Sequence, residues 1–124
     1  MPQKKLWAIS CVFLMTGIAL GAFAAHGLKP MITTHNLAIL HTGVQYQMYH
    51  ALGLLTLSVC PFCGGRWFDL GTRLLVFGVV VFSGSLYVLS LSGLSWFGLL
   101  TPLGGIALIL GWGCLLFSVQ PTQE

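Results

Sequence analysis

The stretch HTGVQYQMYHALGLLTLSVCPF, His41 to Phe62, decides how many times this chain crosses a membrane. Its apolar part, Ala51 to Val59, is too short to cross a hydrocarbon core about 30 Å thick, which takes about 20 residues. A complete span over about 42–62 therefore draws the polar segment HTGVQYQMYH into the bilayer. Polar groups at that depth must find partners inside the protein, so its histidines, glutamines and tyrosines mark an internal network or a functional site.

The rest of the chain makes the membrane setting plain. Of 124 residues, 56% are hydrophobic and only 6% charged, and the mean hydropathy is +0.93, far outside the range of soluble domains. Apolar runs predict three further spans, at about 6–25, 70–92 and 102–119. The expected fold is an all-α membrane protein, one domain built as a four-helix transmembrane bundle. An amphipathic lead-in over about 34–41 precedes the second span. Thr101 and Pro102 suit an N-cap and first helical position. The opening residues also carry the marks of a signal peptide, with Lys4 and Lys5, an apolar core and Ala22-Phe23-Ala24. The run is at the long end for such a signal, and it is read as a retained span.

Basic residues set the orientation. Lys4, Lys5, Arg66 and Arg73 lie on one side and Lys29 on the other, so the positive-inside rule puts both termini in the cytoplasm. Arg73 reads as an interface anchor, snorkelling one turn from Asp69. Five basic residues against two acidic ones are too sparse for a nucleic-acid footprint.

Small residues form helical stripes. Gly17 and Gly21 make a G-x-x-x-G pair in the first span, Gly78 and Ser85 belong to a seven-residue repeat in the third, and Gly104 and Gly111 share one face of the fourth. In lipid such stripes let backbones approach closely, and they are read as helix-packing positions. The second span carries an apolar stripe, Leu37, Leu40, Val44, Met48, Ala51 and Leu55, suited to facing lipid. Two polar ridges lie away from it: His41, Gln45 and Tyr49, then Thr42, Tyr46 and His50. Gly43 allows a bend or a close helix contact.

The segments GAFAAHGL (Gly21 to Leu28), TGVQYQMYHAL (Thr42 to Leu52), SGSLY (Ser83 to Tyr87) and TPLGG (Thr101 to Gly105), with Gly111-Trp112 beyond, resemble the domain of unknown function 423 family. These are small four-span bacterial inner-membrane proteins, similar to the transmembrane protein 256 group. The resemblance runs through all four spans in order, and G-x-x-YQ-x-x-H is its most specific element. Ala24 stands where the family usually has glycine. The resemblance implies fold, topology and an inner-membrane location, and lends no activity.

The chemistry must come from the residues. His26 and His41 should share a depth at the extracytoplasmic boundary, with His50 about 12 Å deeper at 1.5 Å per residue. One metal ion could not be held by all three, since zinc to nitrogen bonds are about 2.0 to 2.1 Å. The candidate polar seam or binding site comprises His26, His41, Gln45, Tyr46, Gln47, Tyr49 and His50, with His50 read as a structural histidine ahead of a proton relay or haem ligand. Cys60-Pro61-Phe62-Cys63 resembles a glutaredoxin-type dithiol. It follows a helix, however, where the dipole gives no support to a thiolate, and a cytoplasmic site would keep it reduced and incidental. The only acids are Asp69 and Glu124, so carboxylate catalysis has almost no raw material. No phosphate-binding glycine loop and no Ser-His-Asp arrangement occurs. No metal, cofactor or enzymatic activity is expected. The expected role is a membrane component binding a lipid, a second copy or a partner membrane protein; the alternative is a small transporter or channel subunit with a polar path around His50.

Overall fold

The computed structural model describes residues 1–121, and Glu124 lies outside them. Helix α1, Gln3–Phe23, continues without a break into a π-helical turn over Ala24–Leu28. The chain reverses, with the amides of Met31 and Ile32 donating to the Leu28 carbonyl, and enters α2, Thr34–Ser58. Thr33 caps α2 by accepting from the Asn36 amide at 3.1 Å. The expected lead-in is thus the first two turns of one uninterrupted helix. Helix α3, Gly65–Ser92, ends at Gly93, whose positive φ of 71° forms a left-handed cap that glycine adopts without strain. A 3-10 segment, Ser95–Leu99, leads into α4, Leu100–Leu115. Thr101 is therefore already inside the helix, and its hydroxyl lies 2.7 Å from that of Ser85 on α3 instead of capping. Helix α4 also ends before the expected 119, and Val119 forms an isolated antiparallel bridge with Cys63.

Among the described residues, three helical stretches are long and apolar enough to cross a membrane: Gln3–Leu28, Gly65–Ser92 and Ser95–Leu115. Their outer surfaces fit that setting. Met15, Ile109 and Leu116 are each at least 70% exposed, an apolar coat that lipid solvates and water would not. Helix α2 is the most polar of the four and falls short of the same apolar standard.

The helices pack in chain order, α1 on α2, α2 on α3, and α3 on α4. The α3–α4 seam is the tightest, because small residues alternate across it. A methyl group on Gly71 would stand 2.9 Å from the Gly111 carbonyl oxygen, and one on Gly78 would meet the Leu108 side chain at 2.6 Å. At Gly104 it would strike the Phe82 backbone, with Cα at 2.8 Å. On the other side, Gly17 receives Met48 and Gly21 receives Val44, so α1 lies antiparallel on α2. The apolar stripe expected to face lipid is turned inward here: Leu40 and Ala51 are fully buried, and Val44 and Met48 fill the glycine notches of α1. The expectation fails because lipid is as apolar as a core, so an apolar stripe does not distinguish lipid from a neighbouring helix.

One end of the bundle is tied by its loops. The Met1 amine pairs with Asp69, and Gln3 Nε2 donates to the Cys60 carbonyl at 3.4 Å. The Gly64 amide donates to Ser118 and the Gln120 amide to Phe62, flanking the Cys63 bridge. Cys60 and Cys63 stand close enough to join as a disulfide, a proximity not foreseen from sequence. The loop turns sharply enough past α2 to bring their Cα atoms to 5.5 Å, a separation that permits the bond.

The packing separates two adjacent glycines. Gly104→Ala should destabilise by about 1–3 kcal/mol through overpacking against the Phe82 backbone. At Gly105 a methyl finds only ordinary contacts, from 3.7 Å outward, so Gly105→Ala should be neutral or stabilising through helix propensity. Thermal unfolding of the two variants in one detergent checks this, and equal losses would refute the assigned seam.

Candidate functional site

Three helices meet at Gln47. Its stripe on α2 runs Gly43, Gln47, His50, Leu54 and Ser58, all buried, so this is the face that α2 presents to the protein interior. The Gln47 Nε2 group donates to the Phe13 carbonyl and to the Thr16 hydroxyl on α1, each at 2.8 Å. Its Oε1 accepts from the Tyr87 hydroxyl of α3 at 2.5 Å. Both ends of one amide are therefore occupied, one by each neighbouring helix. A turn away, the Ser83 hydroxyl donates to the Gly43 carbonyl at 2.7 Å, and a methyl on Gly43 would strike the Tyr87 ring at 2.7 Å. Gly43 thus supplies a close approach, with no break in the helix.

His50 is 9% exposed, and its Nδ1 lies 2.7 Å from the carbonyl of Tyr46 one turn earlier. A carbonyl oxygen only accepts, so in this contact Nδ1 is the donor. The ring sits between Tyr46 and the α4 residue Trp112, with centroids 6.2 and 6.0 Å away. Tyr46 in turn packs on Phe82 at 4.5 Å.

The remaining sequence candidates do not converge on this point. His26 lies exposed in the π-helical turn, and His41, Gln45 and Tyr49 are exposed along the outer face of α2. Tyr46 is 40% exposed. Of the two expected ridges, the first faces outward and only His50 of the second is buried. Among the described residues no three His, Cys, Asp or Glu side chains gather closely enough to hold a metal ion, and no buried side-chain polar atom lacks a partner. Thr16 and Tyr87, which complete the Gln47 node, carry no role in the sequence reading. A signal was present for the node itself: Gly43, Gln47 and His50 share a stripe in which a small residue adjoins two polar ones.

Beside the node, α1 and α3 stand apart and leave a groove. One part, about 330 Å³, is lined by Phe13, Thr16 and Leu20 of α1 and by Val80, Gly84 and Tyr87 of α3, with Gln47 at its floor. A second part, about 320 Å³, shares Val12, Phe13 and Val80 and extends to Ala8 and Val76. From Ala8 to Leu20 the groove runs about 18 Å at 1.5 Å per residue. It opens sideways, past Val12 and Val80, each more than half exposed.

A helical bundle with an apolar coat, an internally satisfied polar node and a lateral apolar groove defines a membrane protein. The chain belongs to a family of proteins of unknown function, DUF423, whose model matches residues 20–105. It is similar to the UPF0382 membrane protein YwdK of Bacillus subtilis, 42% identical over 115 residues that cover 89% of this chain and 91% of the relative. It is likewise similar to the UPF0382 membrane protein SH2409 of Staphylococcus haemolyticus, 39% identical over 94% of this chain and 95% of the relative. The UPF0382 inner membrane protein YgdD of Escherichia coli K12 is 39% identical over 80% of this chain and 76% of its own length. No solved structure matches.

The node makes a contrast between two glutamines two residues apart. Gln47→Leu removes three hydrogen bonds between helices, and at about 0.6 kcal/mol for each such bond in a membrane the loss should be about 2 kcal/mol. Gln45→Leu, on the exposed face, should change stability by less than about 0.5 kcal/mol. Unfolding by a denaturing detergent in mixed micelles measures both, and similar losses would refute the node.

Proposed function

We propose that this chain is a non-enzymatic, four-span component of the bacterial inner membrane, with both termini in the cytoplasm, and that it binds lipid in the groove between α1 and α3. The observation that carries the lipid reading is the groove itself, an apolar lateral slot beside a polar node whose hydrogen bonds are satisfied within the protein.

The fourth span draws support from direction. Helices α1 and α3 run parallel, since Met1 pairs with Asp69 at one end and Leu20 shares the groove with Tyr87 at the other. Two parallel spans call for a return crossing between them, and α2 is that connection. Its 25 residues reach about 37 Å, enough for the hydrocarbon core. Its low hydropathy fits a helix whose polar residues are satisfied by its neighbours. The inside orientation rests on the basic residues at the α1 start and the α2–α3 loop. Transport along His50, Gln45, Tyr46 and Gln47 finds less support: Gln45 faces outward, and the Gln47 amide is held at both ends.

Two measurements test the reading. A fluorescent-protein fusion at the carboxyl terminus should fluoresce, and alkaline phosphatase inserted after Met31 should be active; the reverse pattern would overturn the topology. Protein purified in mild detergent should retain about one phospholipid per chain by native mass spectrometry. Gly84→Phe should abolish that retention, because Gly84 lines the groove and a Cβ there meets nothing within 4 Å, so a bulky side chain can be added without a clash at its base. Retention undiminished by Gly84→Phe would refute the groove.

A further inference from the structure

The groove has a defined register. The Met1–Asp69 pair sets an offset of 68 residues between α1 and α3. The same offset pairs Ala8 with Val76, Val12 with Val80 and Thr16 with Gly84, all groove residues. One turn in from the Met1–Asp69 pair it brings Lys5 level with Arg73. Lys5 stands three, four and seven residues before Ala8, Ile9 and Val12, and Arg73 stands three and seven before Val76 and Val80. On helices those spacings put each cation on the groove-lining stripe.

The other charges at this end are directed elsewhere. Asp69, the only carboxylate among the described residues, is engaged first by the Met1 amine, with Arg73 one turn on adding a smaller attraction. Lys4 borders a separate crevice with Trp7 and Ser58, and the Arg66 guanidinium lies 5.4 Å over the Trp67 ring. Lys5 and Arg73 are both exposed at this end of the two groove-lining stripes, so two positive side chains flank the mouth.

We propose that the groove binds an anionic phospholipid, with its phosphate between Lys5 and Arg73 and one acyl chain lying along α1 and α3 toward Thr16 and Gly84. This deepens the lipid reading above and rests on it. The groove length of about 18 Å compares with about 15 Å for half of a 30 Å hydrocarbon core, so it accommodates a chain from one leaflet. A transmembrane helix is a poorer occupant. With side chains it is about 10 Å across, and it brings no anionic group to the two cations at the mouth. Under the proposed orientation, the lipid belongs to the cytoplasmic leaflet.

The test uses the full chain in nanodiscs of equal phosphatidylglycerol and phosphatidylcholine, followed by detergent extraction and native mass spectrometry of retained lipid. Two basic residues at an anionic headgroup predict a preference of about thirtyfold for phosphatidylglycerol. The double variant Lys5→Gln with Arg73→Gln should bring the ratio close to one while a lipid is still retained. Lys4→Gln with Arg66→Gln should leave the preference in place, and monodisperse elution of each variant verifies folding. Equal retention of the two lipids by the unaltered chain would overturn the headgroup assignment and leave lipid binding standing. A preference that survives in the Lys5/Arg73 variant, or disappears in the Lys4/Arg66 variant, would overturn the assigned cations. No retained lipid of either kind would overturn the groove reading itself.

Discussion

A side-chain amide inside an apolar bundle has to be satisfied at both ends by protein, and Gln47 meets that demand by reaching two helices at once. The Phe13 carbonyl and Thr16 hydroxyl take its donor, and Tyr87 supplies a donor to its acceptor. No other side chain of the described residues ties α1, α2 and α3 together in this way. In lipid, where hydrophobic burial gives helices no reason to associate, such directional contacts and close backbone approach are what remain to fix their arrangement. The node therefore sets both the rotation of α2 and the distance from α1 to α3.

The two halves of the molecule use those resources differently. Between α3 and α4 the glycines do the work: Gly71, Gly78, Gly104 and Gly111 interlock with Leu108, Leu115 and the Phe82 backbone, and at each of these glycines an added methyl would clash. Helix α1 instead meets α2 through Gly17 and Gly21 and is held to α3 through Gln47 and the end-on Met1–Asp69 pair. Fastened in the middle and at one end, α1 and α3 leave their flanking stripes unfilled. The groove is a consequence of that unequal packing. Its walls are chiefly Val12, Phe13, Val76 and Val80, with Thr16 and Gly84 toward the node.

Much of the fold was legible because hydropathy and small-residue spacing report directly on membrane helices. The apolar runs locate α1, α3 and α4, and the glycine stripes mark positions that the structure brings into tight contact. What periodicity could not supply was the rotation of α2. Its apolar stripe was read toward lipid, yet Leu40 and Ala51 are fully buried, since lipid and protein interior solvate such residues alike. For the same reason His41, Gln45 and Tyr49 were read as an inward ridge and lie on the exposed face. Gln47 was named as a candidate, but its partners Thr16 and Tyr87 lie 31 and 40 residues away, beyond the reach of local pattern. The loop that brings Cys60 within bonding distance of Cys63 was likewise invisible to an argument based on compartment.

The low hydropathy of α2 follows from its place between α1 and α3. A helix facing lipid on most of its circumference has few protein partners, so polar side chains there are costly. Helix α2 has neighbours on two sides, and its Gln47, His50 and Ser58 side chains each find an acceptor or donor within the protein. Such a helix can be polar and still lie inside a bundle. The exposed Gln45 and Tyr49 are a different matter, because they have no side-chain hydrogen bond among the described residues. They lie on the outer side of the α2 stripe that packs inward. Exposed polar side chains of this kind call for water or lipid headgroups, so these two residues, more than Gln47, mark the face of α2 least suited to a plain acyl environment.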